Sequence, residues 1–269
     1  MTATEDPMMQ TVLVRGSGDI GSAVAHRLFR ADYSVVIHDI PQPAATRRGM
    51  AFADAVFDRE VMLEGVTALR VDDLAALCAL LPQHTLIPLT VAEFQLVLQT
   101  ILPQVLVDAR MRKHIQPEPQ CGLAPLTIGL GPNFVAGETT DLSIETSWGD
   151  TLGQVVARGA PLPLAGEPRP IGGFARERYV YAPTDGVFST KLQIGDKVHS
   201  GEVLAHVGAV ELTAPLDGVL RGLTHDGVPV RSKTKVIEVD PRGDRAVVKG
   251  IGERPARIAE GVLKAICSK

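Results

Sequence analysis

An α/β domain with a parallel sheet, followed by a smaller all-β module, is the fold class this sequence predicts, and three observations carry the prediction. A β-branched apolar segment, TVLVR at 11–15, runs into a glycine turn, a helix-spaced segment and a second apolar segment, SVVIH at 34–38. Apolar runs of strand length then alternate with segments at helical spacing, the pattern of a parallel sheet covered on both faces. Further along, APTDGV at 182–187 recurs as APLDGV at 214–219. The 269 residues exceed the ~100–200 of a usual domain, which favours two units.

In the first unit, residues 22–30 carry Val24, Ala25 and Leu28 at helical spacing, so the opening segments form a βαβ unit. Then follow VMLEGVTA at 61–68, a helix over about 72–81, TLIPL at 85–89, a helix over about 92–101 and QVLVD at 104–108. After Asp108 the helices thin out, and PLTIGL, DLSIET and TLGQVVA read as short strands. PLPLAGEPRPIGG at 161–173 holds four prolines. Proline lacks the amide that a strand or helix interior needs, so this stretch reads as an extended linker. Beyond it the repeat keeps its register at an offset of 32 residues, Gly195 matching Gly227, Val198 matching Val230 and Val207 matching Val239. Two copies of a four-strand unit would pair into one flattened barrel. The chain closes with RPARIAEGVLKAICSK, whose Ile258, Val262 and Ile266 share a helical face, with Pro255 near the first turn. The expected division is residues 1–165, residues 171–240 and a basic C-terminal helix within 241–269.

Composition narrows the function classes. With 45% hydrophobic and 22% charged residues the chain is globular in type, and a net charge of −4 leaves no positive reserve for sequence-independent nucleic-acid binding. The longest apolar run, residues 74–81, is far short of the ~20 residues that span a bilayer. The start MTATEDPMMQ lacks the basic-then-apolar order of a signal peptide. A cytoplasmic protein without a membrane partner is expected. Three isolated cysteines form no CxxC, which argues against a disulfide framework or a thiolate zinc site. Neither HExxH nor GxSxG occurs, and SKTK at 232–235 fits SxxK only formally, inside a repeat strand. No catalytic residue and no metal ligand is assigned.

One motif carries chemistry. GSGDIG at 16–21 satisfies GxGxxG directly after a buried strand and at the opening of a helix, the Rossmann-like context that gives the pattern meaning. Gly16 would make the tight turn, Gly18 would let a phosphate approach the backbone beside Ser17, and Gly21 would let helix pack on strand. The helix amides and dipole favour the anion. Asp39, at the end of the next strand, stands where a carboxylate grips ribose hydroxyls. The alternative is a Rossmann-like unit that keeps these glycines for packing alone. Asp19 complicates the loop, because its carboxylate can cap the amides a pyrophosphate would need. Either it is a plain cap, or it turns aside, or it holds a cation or a protonated ring nitrogen, or the ligand is not an ordinary dinucleotide. Arg47 and Arg48 could meet a 2′-phosphate or a substrate anion, or could be two exposed loop charges. DARMRK at 108–113 puts Asp108, Arg110 and two further cations at the strand edge where open α/β sheets place ligands. GLGPNFVAG at 129–137 is a second, less specific glycine loop.

The repeat resembles the biotinyl/lipoyl hammerhead, so the second unit is expected to be a β barrel-sandwich. Carrier domains of that type bear a modified lysine before the second AP motif, but HVGAVELTAPLDG at 206–218 has none. A structural or docking role is expected instead of a swinging arm. Taken in order, RGSGDIG at 15–21, DIPQPAATRR at 39–48, AFADAVFD at 51–58, VLVDARMRK at 105–113, APLTIGLGPNFVAG at 124–137 and APTDGVF at 182–188 resemble the YqeB family. That resemblance implies an accessory role in the selenium-dependent molybdenum hydroxylase system, with the hydroxylase as partner. Locally, the glycine motif is also similar to the Rossmann half of XdhC-type maturation factors of the molybdenum cofactor. SWGDTLGQ at 147–154, with Trp148 and Asp150, departs from the basic run of the YqeB pattern. The expected ligand is nucleotide-like, either NAD(P) or a molybdopterin dinucleotide, and a homo-oligomer is allowed. Two other functions compete: an NAD(P)-dependent oxidoreductase, and a non-catalytic adaptor that docks a hydroxylase.

Overall fold

Short runs of buried β-branched and aliphatic residues build the centre of a large sheet. The computed structural model describes residues 9–112, 115–163 and 168–269. In chain order the first part comprises β1 (Thr11–Arg15), α1 (Asp19–Phe29), β2 (Ser34–His38), α2 (Ala55–Asp58), β3 (Glu60–Leu63), β4 (Val66–Arg70), α3 (Leu74–Leu80), β5 (Ile87–Thr90), α4 (Phe94–Ile101), β6 (Val105–Asp108), β7 (Leu126–Leu130), β8 (Leu142–Ile144) and β9 (Val155–Val156). Nine strands join in the order β3-β4-β5-β2-β1-β6-β7-β8-β9. From β4 to β8 the neighbours are parallel, whereas β3 and β9 run antiparallel to theirs. Alternation along the strands divides the interior. Val12 and Val14 pack with Val24 and Leu28 of α1, while Leu13, Val36 and Leu106 pack with Leu77, Val97 and Leu98 of α3 and α4.

The second part comprises β10 (Tyr179–Tyr181), β11 (Gly186–Ser189), β12 (Lys197–Val198), β13 (Val203–Val207), β14 (Val210–Thr213), β15 (Gly218–Leu223), β16 (Pro229–Val230) and β17 (Lys235–Asp240). They form two antiparallel four-stranded sheets, β10-β17-β15-β12 and β14-β13-β11-β16, around a core that includes Phe188, Leu220 and Ile237. The chain then returns to the first sheet. In α5 (Glu253–Cys267), Ile258, Val262 and Ile266 join the core that holds Val12 and Val24. A Cβ on Gly261 would lie 2.2 Å from the Gly153 carbonyl oxygen, so α5 and the 149–153 turn can touch only through glycine.

This architecture corrects the expected Rossmann-like domain plus biotinyl/lipoyl barrel-sandwich: the chain forms one large mixed sheet and two antiparallel sheets. One cause lies in VMLEGVTA, which reads as a single apolar run. Glu64 (φ 45°) and Gly65 (φ 78°) instead make a two-residue turn of positive φ, and the run folds back as the hairpin of β3 and β4. A second cause is that self-similarity specifies alike strands without specifying partners. β11 and β12 of the first copy pair with β16 and β15 of the second, and β10, which precedes the repeat, pairs with β17. Residues 164–167 of the proline-rich stretch lie outside the described residues. No helix among the described residues is long and apolar enough to cross a membrane.

Candidate functional site

β1 has β2 on one side and β6 on the other, so the loop that leaves its carboxyl end opens at the point where strand order reverses. The three glycines of that loop do different work. Gly16 has φ +104°, its amide donates to the His38 carbonyl at 2.8 Å, and a Cβ there would lie 3.2 Å from the Ala109 backbone. A Cβ on Gly21 would lie 1.9 Å from the Gly16 carbonyl oxygen. Both are therefore required by conformation or packing. Gly18 has φ −67° and a Cβ on it would meet nothing within 4 Å. It is the N-cap of α1 and supplies no side-chain cap; the space where its Cβ would lie is open, while the Ile20 amide next to it is taken by Asp19.

Ser17 is buried and locks the loop to the next strand. Its amide and hydroxyl both donate to Asp39 Oδ2, at 2.6 and 2.5 Å, and Asp39 Oδ1 accepts from the Ile40 amide at 2.8 Å. Asp39 thus stands at the strand end, as the spacing places it, with its carboxylate engaged in shaping the loop.

Asp19 faces the second part of the molecule. Its Oδ1 accepts from the Ile20 amide at 3.0 Å and its Oδ2 from Arg47 Nη1 at 3.1 Å. Burial acts to raise the Asp19 carboxyl, but the charges of Arg47 and Lys235 hold it below the ordinary range. Arg47 spans onward to Glu238 of β17, with Nε to Oε2 at 3.0 Å and Nη2 to Oε1 at 3.2 Å. Glu238 is wholly buried and also accepts from Arg178 Nη1 and, at 2.9 Å, from Lys235 Nζ. Burial would raise its carboxyl; Lys235 and Arg47 hold it far below the usual carboxylate range. Arg48 takes another direction. Its Nη1 lies 2.8 Å from each Asp54 oxygen, and its Nε donates to the Leu223 carbonyl at 2.7 Å, tying the chain before α2 to β15.

At the end of β6, Asp108 is 1% exposed and accepts from Arg110 Nε at 3.0 Å, from the Arg110 amide and from Gln120. Arg110 and Arg112 also reach Glu118, at 2.6 and 2.5 Å, as does Arg15 at 3.0 Å. Arg15 lies over the Phe94 ring at 3.6 Å. Burial works against the charge on Glu118, yet Arg110 and Arg112 hold its carboxyl well below the usual range. At this strand edge three cations, Arg15, Arg110 and Arg112, share the two carboxylates of Asp108 and Glu118; Lys113 lies outside the described residues. His38 closes the same edge with Nε2 3.0 Å from the Ala92 carbonyl, and burial pushes its imidazole below the ordinary value. In the second glycine loop, a Cβ on Gly129 would lie 2.2 Å from the Phe134 ring, and the neighbouring cavity of about 10 Å³ holds no more than a water. The segment 146–154 meets α5: Arg254 Nε donates to the Thr146 carbonyl at 2.7 Å and Arg257 to that of Gly149 at 3.3 Å. Among the described residues no group of three or more His, Cys, Asp or Glu could hold a metal ion.

Of the residues singled out in the sequence, Gly16, Ser17, Gly18, Asp19 and Gly21 form one loop, Asp39 is tied to it through Ser17 and Arg47 through Asp19, while Arg48 turns to Asp54 and Asp108 pairs with Arg110 at the end of β6. Sequence reasoning does not single out the partners these residues meet. It misses Arg15, Arg178, Lys235 and Glu238. The available signal for Glu238 was an acidic residue inside the apolar strand KVIEVD, two positions from a second, Asp240.

No protein-family model matches the chain. Over 257 residues it is 38% identical to "Uncharacterized protein YqeB" of Escherichia coli (strain K12), which covers 96% of this chain and 47% of that protein. The likeness to YqeB thus extends over nearly the whole chain, which spans about half the length of the curated relative it matches. Among solved structures, a succinylglutamate desuccinylase/aspartoacylase from Rhodobacter sphaeroides is 25% identical over 26% of this chain and 24% of that chain, with a TM-score of 0.23. An aspartoacylase family protein from Mesorhizobium loti is 10% identical over 86% of this chain and 85% of that chain, with a TM-score of 0.26. Superpositions at these scores leave the description of the fold to the strand order given above.

Proposed function

We propose that the chain is an accessory or maturation protein for a selenium-dependent molybdenum hydroxylase, and that it binds a nucleotide-bearing ligand at the loop of residues 16–21. The pathway is what the resemblance of the motifs to the YqeB family implies, and Gly18 is the observation that carries the ligand. It alone of the three motif glycines has neither a positive φ nor a packing neighbour to require it, and it opens directly onto the amide end of α1. The Asp19 charge, which would repel a phosphate, is matched by Arg47 at 3.1 Å. The loop therefore fits the pyrophosphate of NAD(P) or of the cytosine-dinucleotide form of molybdopterin. Asp39 fits less well as a ribose grip, because Ser17 occupies one of its oxygens twice.

Calorimetric titration of the whole chain with NAD, NADP, CTP and a molybdopterin dinucleotide tests the proposal. One of them should bind, and Gly18→Val should weaken it at least about thirtyfold, as a side chain fills the place where phosphate meets backbone, at a stability cost of about 1 kcal/mol for a poorer N-cap. Absence of binding by all four refutes the ligand and favours the adaptor. A hydroxylase that acquires its full molybdenum content in cells lacking this protein refutes the maturation role.

A further inference from the structure

The open side of the glycine loop continues, through Asp19, into the second part of the molecule, where charge is out of balance. Among the described residues, Arg47, Arg178, Arg221, Lys235 and Arg242 converge on three carboxylates, those of Asp19, Glu238 and Asp240. Cations so placed, with water largely excluded, are costly unless matched. Donors also outnumber acceptors: the Nε atoms of Arg178 and Arg221 are buried without a hydrogen bond, the latter 3.5 Å from Glu238 Oε1.

The members of the cluster differ in access. Glu238 and Arg178 are buried, whereas the side chains of Lys235, Arg47 and Asp19 keep 27%, 24% and 25% of their surface. These three form a half-buried lip, and Arg242, on Asp240, keeps 33%. Lys235 Nζ and Arg47 Nε share one oxygen, Glu238 Oε2, at 2.9 and 3.0 Å. The Tyr179 ring lies 4.4 Å from both Lys235 Nζ and the Arg178 guanidinium carbon. Arg254, near the start of α5, adds a further cation whose field reaches Asp19 and Arg47. An ammonium has three donors, and Glu238 takes one of those on Lys235.

We propose that this lip is an anion subsite: Lys235 and Arg47 receive a phosphate or pyrophosphate group of a ligand whose remaining part lies against Gly18, between the large sheet and the all-β module. The link to Gly18 rests on the function proposed above; the subsite itself rests on the excess of cations. Lys235 also has a chemical signature. Burial lowers its ammonium to about 8, against the opposing pull of Glu238, so near pH 8 a large share of it is the free amine.

Pyridoxal 5′-phosphate joins an aldehyde to a phosphate and is the probe. The Lys235 amine attacks the aldehyde carbon, the C–N bond forms, water leaves, and added borohydride reduces the imine to a stable secondary amine that peptide mass spectrometry locates. At pH 8 Lys235 should label roughly tenfold faster than the exposed Lys197, whose ammonium is held above its ordinary value by Asp244 and stays protonated there. Millimolar inorganic pyrophosphate should slow that labelling at least about fivefold, by occupying the subsite. Equal labelling of Lys235 and Lys197, or no protection by pyrophosphate, overturns the proposal. Protection that persists in Gly18→Val, with no nucleotide bound by the natural protein, leaves the subsite standing while the glycine-loop function falls. Gly18-dependent nucleotide binding that leaves Lys235 unprotected has the opposite meaning: the loop function stands and the subsite is overturned. Lys235→Met supplies a second readout, a loss of pyrophosphate affinity of about tenfold by calorimetry, beside a natural circular dichroism spectrum.

Discussion

Replacing Glu238 by glutamine tests the counter-charge at the centre of the cation cluster. The side chain keeps its shape, but one carboxylate oxygen becomes a donor among donors. Glu238 accepts from Arg47 twice, from Arg178 and from Lys235, and is wholly buried. Removing one partner of a buried ion pair costs about 3–5 kcal/mol, and here several cations lose their counter-charge together. For a chain of this size each kcal/mol moves the midpoint by about 2–4 °C, so Glu238→Gln should lower it by roughly 6–20 °C. The pH dependence has a fixed sign. Arg47 and Lys235 hold the Glu238 carboxyl below its unfolded value, so its contribution is complete above that value and is lost as pH falls toward the folded one. Urea unfolding followed by circular dichroism should therefore show a large difference between the two proteins at pH 7 and a smaller one at pH 3. A difference below about 1 kcal/mol at pH 7, or one that grows with acid, would refute the assignment of Glu238 as the counter-charge of the cluster.

Gly21→Ala, whose Cβ would lie 1.9 Å from the Gly16 carbonyl oxygen, should cost about 1–3 kcal/mol, whereas Gly18→Ala should stay within about 1 kcal/mol; thermal melts rank them. Asp39→Ala strands the buried Ser17 amide and hydroxyl and should cost about 1–3 kcal/mol in urea, while Asp39→Asn, which can still accept, should cost less; equal losses would refute the role given to Oδ2. Lys235→Met should change how stability varies with alkali. Burial lowers the folded pKa to about 8 from the ordinary 10.5, so between these values the unfolded chain holds the extra proton and natural stability rises with pH. The variant lacks that rise, and parallel urea profiles of the two proteins from pH 8 to 10.5 would contradict it.

How far the molecule was legible in its sequence depended on distance along the chain. β1, the turn at residues 16–21, α1 and β2 lie within 28 residues, and a local pattern of apolar spacing and glycine is enough to place them. The same locality misled at VMLEGVTA, where apolar content outweighed the one dipeptide that turns the chain. It failed for the charge cluster, whose members Asp19, Arg47, Arg178, Lys235 and Glu238 come from both halves of the chain and meet only because β17 is brought beside the residues before α2. Periodicity can report that a residue is buried, not which distant charge faces it.

Arg47 and Arg48 show what this costs a functional reading. In sequence they are one feature, two adjacent cations available to a phosphate. In the structure Arg48 is committed to Asp54 and the Leu223 carbonyl, a tie between sheets, while Arg47 touches both the first residue of α1 and the floor of the cation cluster. A ligand that drew Arg47 away from Asp19 would act on the glycine loop and on Glu238 at once, because one guanidinium holds both. The affinity of the loop and the seating of the all-β module are then linked quantities, and substitution of either partner of Arg47 should shift both in the same measurement.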